Sequence, residues 1–226
     1  MTMAQISRDS LLTLEAYSRQ RKDFRARVIA HKKNRSLQLG EHLTLIFEDE
    51  LTVRYQIQEM LRIEKTFEED GIRDELDAYN PLIPDGTNLK ATMMIEYDDP
   101  VVRKQALARL RGVEEQVYVQ VDGHAKVYAI ADEDLEREND EKTSSVHFLR
   151  FEFAPGMIAS FKGGAALAIG SDHPQYSARV DEVAPEMIAS LKGGAALAVG
   201  CDHPQYPARV DEVAPNVQAA LVRDFA

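Results

Sequence analysis

Cysteine is nearly absent from this chain. The single thiol, Cys201, excludes an intramolecular disulfide and any iron-sulfur cluster built from this chain alone, because such clusters are held by several thiolates. Long apolar runs are also missing. Nothing approaches the roughly 20 residues of a membrane-spanning helix. The N-terminal MTMAQISRDS lacks the apolar core of a signal peptide, so a cytoplasmic location without a membrane partner is expected. Positive charge is in deficit, with 27 Lys and Arg against 38 Asp and Glu and a formal charge of -11. A phosphate backbone is bound by surplus cations, so nucleic acid is not expected as the general partner. The GxxxxGK[ST], GxGxxG, HExxH and GxSxG signatures are absent as well. Gly163-Gly164 and Gly193-Gly194 read as helix-ending pairs and not as phosphate cradles.

What is present describes an ordinary globular chain. Its 226 residues, 44% hydrophobic and 29% charged, suit one domain or one domain with an appendage. The strongest helical pattern covers Asp49 to Phe67, where Val53, Ile57, Met60, Leu61 and then Phe67 form an apolar stripe. Two helices, Arg8 to Gln20 and Lys22 to Lys33, are expected before it with a break at Arg21. Strands are expected at Ser36 to Leu39, Leu43 to Phe47 and Lys90 to Tyr97, and short helices at Ile72 to Ala78 and Val101 to Arg111. Asp122-Gly123 marks a hairpin between Gln116 to Val121 and Lys126 to Ile130. In Ser144 to Phe153, His147, Leu149, Phe151 and Phe153 share one face of a buried strand. The sum is an α+β fold with a mainly antiparallel sheet and packed helices.

Self-comparison exposes a tandem duplication. Residues 155 to 184, PGMIASFKGGAALAIGSDHPQYSARVDEVA, recur at 185 to 214 with differences only at Gly156/Glu186, Phe161/Leu191, Ile169/Val199, Ser171/Cys201 and Ser177/Pro207. Each unit reads as a short proline-opened helix, a Gly-Gly break, an apolar run and an Asp-His-Pro turn. Two units are fewer than a solenoid needs, so the division expected is a core at 1–154 and a duplicated element with a terminal helix at 155–226. Because Ser171 stands where Cys201 stands in the second unit, the unit does not require a thiol.

Three groups of residues are candidates for function. Arg54, Gln56, Gln58, Glu59 and Arg62 stack long polar side chains on one side of the central helix. They are either a solvated face with Glu59 pairing Arg62, or a binding face able to orient a carboxylate, a phosphate or a partner's backbone. Between Arg19 and Arg35 the chain concentrates cations, including Arg25, Lys32, Lys33 and Arg35 with His31, a basic patch that suits an anion or an acidic partner. The acidic run Ala131 to Lys142 is its natural complement, either as solvated chain or as a docking surface in a homo-oligomer. For metal, Asp172-His173 and Asp202-His203 offer duplicated ligand pairs beside their reading as turns. A dispersed site from His31, His42, His124 or His147 with Glu48, Glu59 or Glu96 is the other possibility. Glu59 and His147 lead that set, with iron, manganese or zinc as the ion.

Several segments, among them HLTLIFEDELTVRYQIQEMLRIEK, ELDAYNPLIPDGTNLKATMMIEY, EKTSSVHFLRFEF and GAALAIGSDHPQY, resemble a bacterial family known only as a numbered domain of unknown function. The resemblance covers nearly the whole chain, which departs from the family pattern by carrying the helix-to-DHPQY segment twice. Members are commonly encoded beside a rubrerythrin-like diiron protein and an iron-sulfur protein similar to heterodisulfide reductase subunits. That neighbourhood implies a role in peroxide defence or electron transfer. The expectation is therefore an accessory protein that binds such a redox partner, with a metal-dependent enzyme or metal carrier as the alternative.

Overall fold

The computed structural model describes residues 5–134 and 137–181, together with the backbone of two short strands at 199–200 and 209–210. Helix α1 (Leu14–Lys32) begins at Thr13, whose side chain accepts a hydrogen bond from the Ala16 amide, and runs unbroken through Arg21. The expected break is absent because Gln20, Arg21 and Lys22 are good helix formers and Arg21 is tied to the next helix. A hairpin follows, β1 (Ser36–Leu39) and β2 (Leu43–Phe47), turning at Gly40 with φ +69°. Helix α2 (Glu50–Glu64) opens with a reciprocal capping box between Asp49 and Thr52. It ends at left-handed Lys65, so Phe67 lies outside it and is 70% exposed instead of joining the apolar stripe. Helix α3 (Glu69–Tyr79) and strand β3 (Asn88–Ile95) come next. Asp99 then caps α4 (Pro100–Arg109), with proline at its first turn.

All described strand pairs are antiparallel. The first sheet has the order β1-β2-β3-β7-β6, with β7 at Val146–Glu152 and β6 at Ile130–Ala131. After the short helix α5 (Val113–Gln116), the second sheet has the order β5-β4-β8-β9. Its strands are β4 (Val117–Val121), β5 (Val127–Tyr128), β8 (Leu167–His173) and β9 (Tyr176–Val180). The sheets adjoin at both edges. On one side the strand expected at Lys126 to Ile130 bends at Ala129, giving β5 to one sheet and β6 to the other, while the Ala129 amide still donates to Val117 O at 2.9 Å. On the other side the Tyr176 hydroxyl donates to Leu39 O at 2.6 Å and accepts from the His42 amide at 3.0 Å. The inner faces thus enclose one core that includes Leu45, Met93, Phe151, Val119 and Ile169.

Helices α2 and α3 build a second, smaller core from Val53, Ile57, Leu61, Ile72 and Leu76 with Ile6 and Leu11, against which Leu14 of α1 packs. Burying each of these larger side chains contributes roughly 1.5 to 3 kcal/mol. The first unit of the duplication is part of the main core. Helix α6 (Pro155–Lys162) buries Phe161 completely, and β8 pairs with β4 along five residues, Val117↔Ser171 to Val121↔Leu167. A boundary at residue 154 therefore falls inside one continuous core. The second unit lies outside the described residues, except that β10 (Val199–Gly200) pairs with β11 (Arg209–Val210). Their register repeats Ile169↔Val180 and Gly170↔Arg179 of the first unit.

Candidate functional site

The strand alternation that places Leu149 and Phe151 in the core also sends His147 inward, where its side chain is fully buried. An imidazole in that position needs partners for both ring nitrogens. Its Nδ1 lies 2.6 Å from Asp132 Oδ2. Its Nε2 lies 3.0 Å from Thr143 Oγ1, 3.1 Å from Ser144 O and 3.9 Å from Glu114 Oε2. Thr143 Oγ1 is also 3.3 Å from Glu114 Oε2, and Thr143 and Glu114 are themselves buried.

Each partner is delivered by a different element. Asp132 follows β6 with φ +51°, a left-handed conformation that aspartate tolerates better than most residues. Its other oxygen accepts from the Phe148 amide at 3.0 Å and from Arg137 at 3.3 Å, which fixes the carboxylate. Glu114 comes from α5, whose N-cap is the left-handed Gly112. Burial, the largest influence on it, pushes the Glu114 carboxyl above its ordinary range, while the nearby His147 pulls it down. A cavity of about 470 Å³ lies against Glu114 and Asp132, with Gly112, Glu115 and Glu138 in its wall.

With Asp132 accepting the Nδ1 proton, Nε2 faces the Thr143 hydroxyl and the acceptor-only Ser144 O, so a cation bound there takes the place of an Nε2 proton. One donor atom from each of Glu114, Asp132 and His147 lies within 4.8 Å of the others. Two ligands each about 2.1 Å from a metal ion can stand up to about 4.2 Å apart, so the 3.9 Å between Nε2 and Glu114 Oε2 is within reach of one ion. A set of one imidazole with carboxylates and a hydroxyl suits zinc, iron or manganese better than a soft thiophilic ion.

The remaining residues singled out from sequence go elsewhere. Glu59 is saturated, accepting from Arg21 at 2.7 Å through both oxygens, from Tyr17 at 2.6 Å and from Arg62 at 3.3 Å, so it does not meet His147. Gln58 holds the Leu12 backbone by its amide and carbonyl, and Arg54 reaches Glu50 and Ser10. Gln56 lines a cavity between α2 and the first sheet, and Arg54 and Gln58 line another with Gln20, Asp23 and Arg27. In the basic patch Arg25 and Lys33 are exposed and Lys32 is half-buried. Arg35 instead turns inward to Phe47 O and Glu48 O, and His31 pairs Asp49 at 2.5 Å.

Asp172 and His173 point to opposite faces of β8. Asp172 binds Lys126 and Tyr128, each at 2.6 Å, and His173 Nε2 meets Arg111 O at 3.0 Å. Asp202 and His203 lie outside the described residues. His42 stacks on Tyr97 at 3.8 Å, and His124 meets Ser160 at 2.9 Å. Glu48 and Glu96 take threonine hydroxyls. The members missed from sequence are Glu114 and Asp132, one in a four-residue helix and one inside the acidic run. The acidic run was the only visible signal for Asp132 and there was none for Glu114, since burial is not legible from a charged residue.

A family model described as a protein of unknown function, DUF3501, matches residues 5–193. The chain belongs to that family. It is also similar to a crystal structure at 1.90 Å of a novel protein of unknown function from Burkholderia pseudomallei K96243. The two share 52% sequence identity and a TM-score of 0.80, covering 99% of this chain and 100% of that one. No curated protein matches this chain. No described helix is long and apolar enough to cross a membrane.

Proposed function

We propose that this protein binds a divalent transition metal at His147 and Glu114, with Asp132 orienting the imidazole, as a metal-dependent enzyme or a metal carrier. The observation that carries the reading is the fully buried His147, whose Nδ1 is engaged by Asp132 while its Nε2 faces Glu114 and Thr143. A carboxylate behind a ligating histidine fixes its tautomer and raises its basicity, and loss of such a partner typically weakens metal binding 10- to 100-fold. Thr143 and the acidic cavity beside Glu114 supply a polar approach for the ion.

An accessory role beside a redox partner, which the family resemblance implies, draws less support from the geometry. The side chains on which it would rest are turned to one another: Arg54 to Glu50, Arg62 to Glu59, and Arg35 to backbone carbonyls. The deciding experiment is elemental analysis of untagged protein purified without chelator, followed by calorimetric titration of chelator-treated protein with Zn²⁺, Mn²⁺ and Fe²⁺. Uptake near one equivalent, lost in His147→Gln and weakened in Asp132→Asn, is expected. Protein that neither carries nor takes up metal overturns the proposal and returns attention to partner binding, tested by capture from native lysate.

A further inference from the structure

Further open space lies against the opposite face of β7. Strand alternation sends Val146, Phe148 and Arg150 outward from the barrel-like core, and α2 and α3 stand over that outer face. Beneath them are two adjacent cavities of about 260 and 380 Å³, with Tyr79, Leu82 and Phe148 as their common wall. Much of the lining is apolar, from Ile46, Val53, Leu82, Met94 and Phe148.

Three carboxylates lining these cavities, Glu48, Glu75 and Asp77, have no described ion pair. Glu48, only 8% exposed, lines the smaller cavity and accepts hydrogen bonds from Thr52 Oγ1 at 2.5 Å and Thr92 Oγ1 at 2.6 Å, both neutral donors. No described ion pair engages its carboxylate. Each carboxylate oxygen can accept more than one hydrogen bond, so acceptor capacity remains. Glu75 lines the larger cavity, and its Oε2 is the single buried side-chain nitrogen or oxygen without a hydrogen-bond partner among the described residues. Burial and the neighbouring carboxylates Glu64 and Asp74 push its carboxyl above the ordinary range.

The cations nearby are mostly engaged. Arg150 is paired with Glu133 and Glu152, and Lys90 Nζ donates to Pro81 O. Lys32 lines the smaller cavity without pairing Glu48. A buried charge is costly unless paired, and a carboxylate facing an apolar cavity is paired best by a ligand that brings both a positive charge and an apolar body.

We propose that the smaller cavity binds a small molecule carrying a protonated primary amine on an apolar body, the ammonium at Glu48 and the apolar part on Phe148, Met94 and Leu82. The site is separate from His147, and chelator-treated protein binds the amine equally well.

The test uses calorimetry and amide NMR titration of the full chain with n-pentylammonium, 1,5-diaminopentane, phenethylammonium and, as the opposite charge, hexanoate. Saturable amine binding, weakened at least about tenfold in Glu48→Gln as expected for loss of a charged hydrogen bond, supports the proposal. Val146→Trp gives a second arm that does not touch a core residue, since Val146 lines the same cavity and is 38% exposed. This substitution fills the cavity from its rim and abolishes binding without changing the thermal midpoint. Binding of hexanoate in preference to the amines, equal amine affinity in Glu48→Gln, or no saturable amine binding at millimolar concentration overturns the proposal.

Discussion

Replacing Glu59 by glutamine removes one defined part of the protein's acid sensitivity, and the magnitude follows from the contacts. In the fold the Glu59 carboxylate accepts from Arg21 through both oxygens, from Tyr17 and from Arg62, and is 11% exposed. Its carboxyl is held down at about 2, with the Arg21 hydrogen bonds as the largest cause, against burial that raises it. A depressed acid stabilises the fold at pH values above its unfolded pKa of about 4.3. That stability disappears as the pH falls through the folded value. A shift of this size corresponds to roughly 3 kcal/mol. Arg21 and Arg62 are each 36% exposed, so screening by solvent lowers the expected contribution to about 2 kcal/mol.

The assay is urea unfolding followed by far-ultraviolet circular dichroism for wild type and Glu59→Gln at steps from pH 7 to pH 2. The difference between the two is expected to stay flat from pH 7 to about pH 5, to shrink below that, and to vanish near pH 2, with unchanged dependence on urea. Subtracting the two profiles removes the acid sensitivity of every other carboxylate. Parallel profiles, with a constant difference down to pH 2, would falsify the network, because they would mean that Glu59 has a similar pKa in the folded and unfolded chains.

Other outcomes follow from single contacts. Tyr176→Phe removes the hydroxyl that joins the two sheets at Leu39 O and the His42 amide, and should cost about 2 kcal/mol in urea unfolding, as expected for two lost hydrogen bonds. A change below about 0.5 kcal/mol would mean that the sheet edges close without it. Phe161→Leu introduces the residue that the second unit carries at 191 into a fully buried position, and its thermal midpoint should fall by an amount equivalent to about 1 to 2 kcal/mol. Gly40→Ala places a methyl against the Tyr176 hydroxyl at a backbone with φ +69°, so it should destabilise by more than about 1 kcal/mol, and equal midpoints for the two proteins would argue against that turn. Asp132→Asn should keep the fold and weaken Zn²⁺ binding about 10- to 100-fold, whereas undiminished affinity would remove Asp132 from the metal site.

Local pattern was sufficient for the elements that combine a strong period with a clear terminus. The helix expected from Asp49 begins there, with Asp49 as its cap, the helix expected at Val101 opens with Asp99 and Pro100, and alternation placed Leu149 and Phe151 on one side of β7 with His147 beside them. These rest on interactions between residues a few positions apart, which the chain specifies by itself. The break expected at Arg21 did not occur, and Phe67 fell outside the helix, because tertiary contacts and a left-handed Lys65 settled those ends.

Which charged side chain meets which was decided only by the tertiary structure. Glu59 reads from sequence as part of a polar face, yet it is consumed by Arg21 and Tyr17 from a helix 38 and 42 residues away. His147 finds Asp132 and Glu114 because β6, β7 and α5 converge at one place in the fold. The physical reason is the reach of the interactions. Helix capping and strand alternation act within a few residues and are written in the local order of amino acids. A buried ion pair or ligand set is chosen by burial, and burial exists only once the sheets have closed.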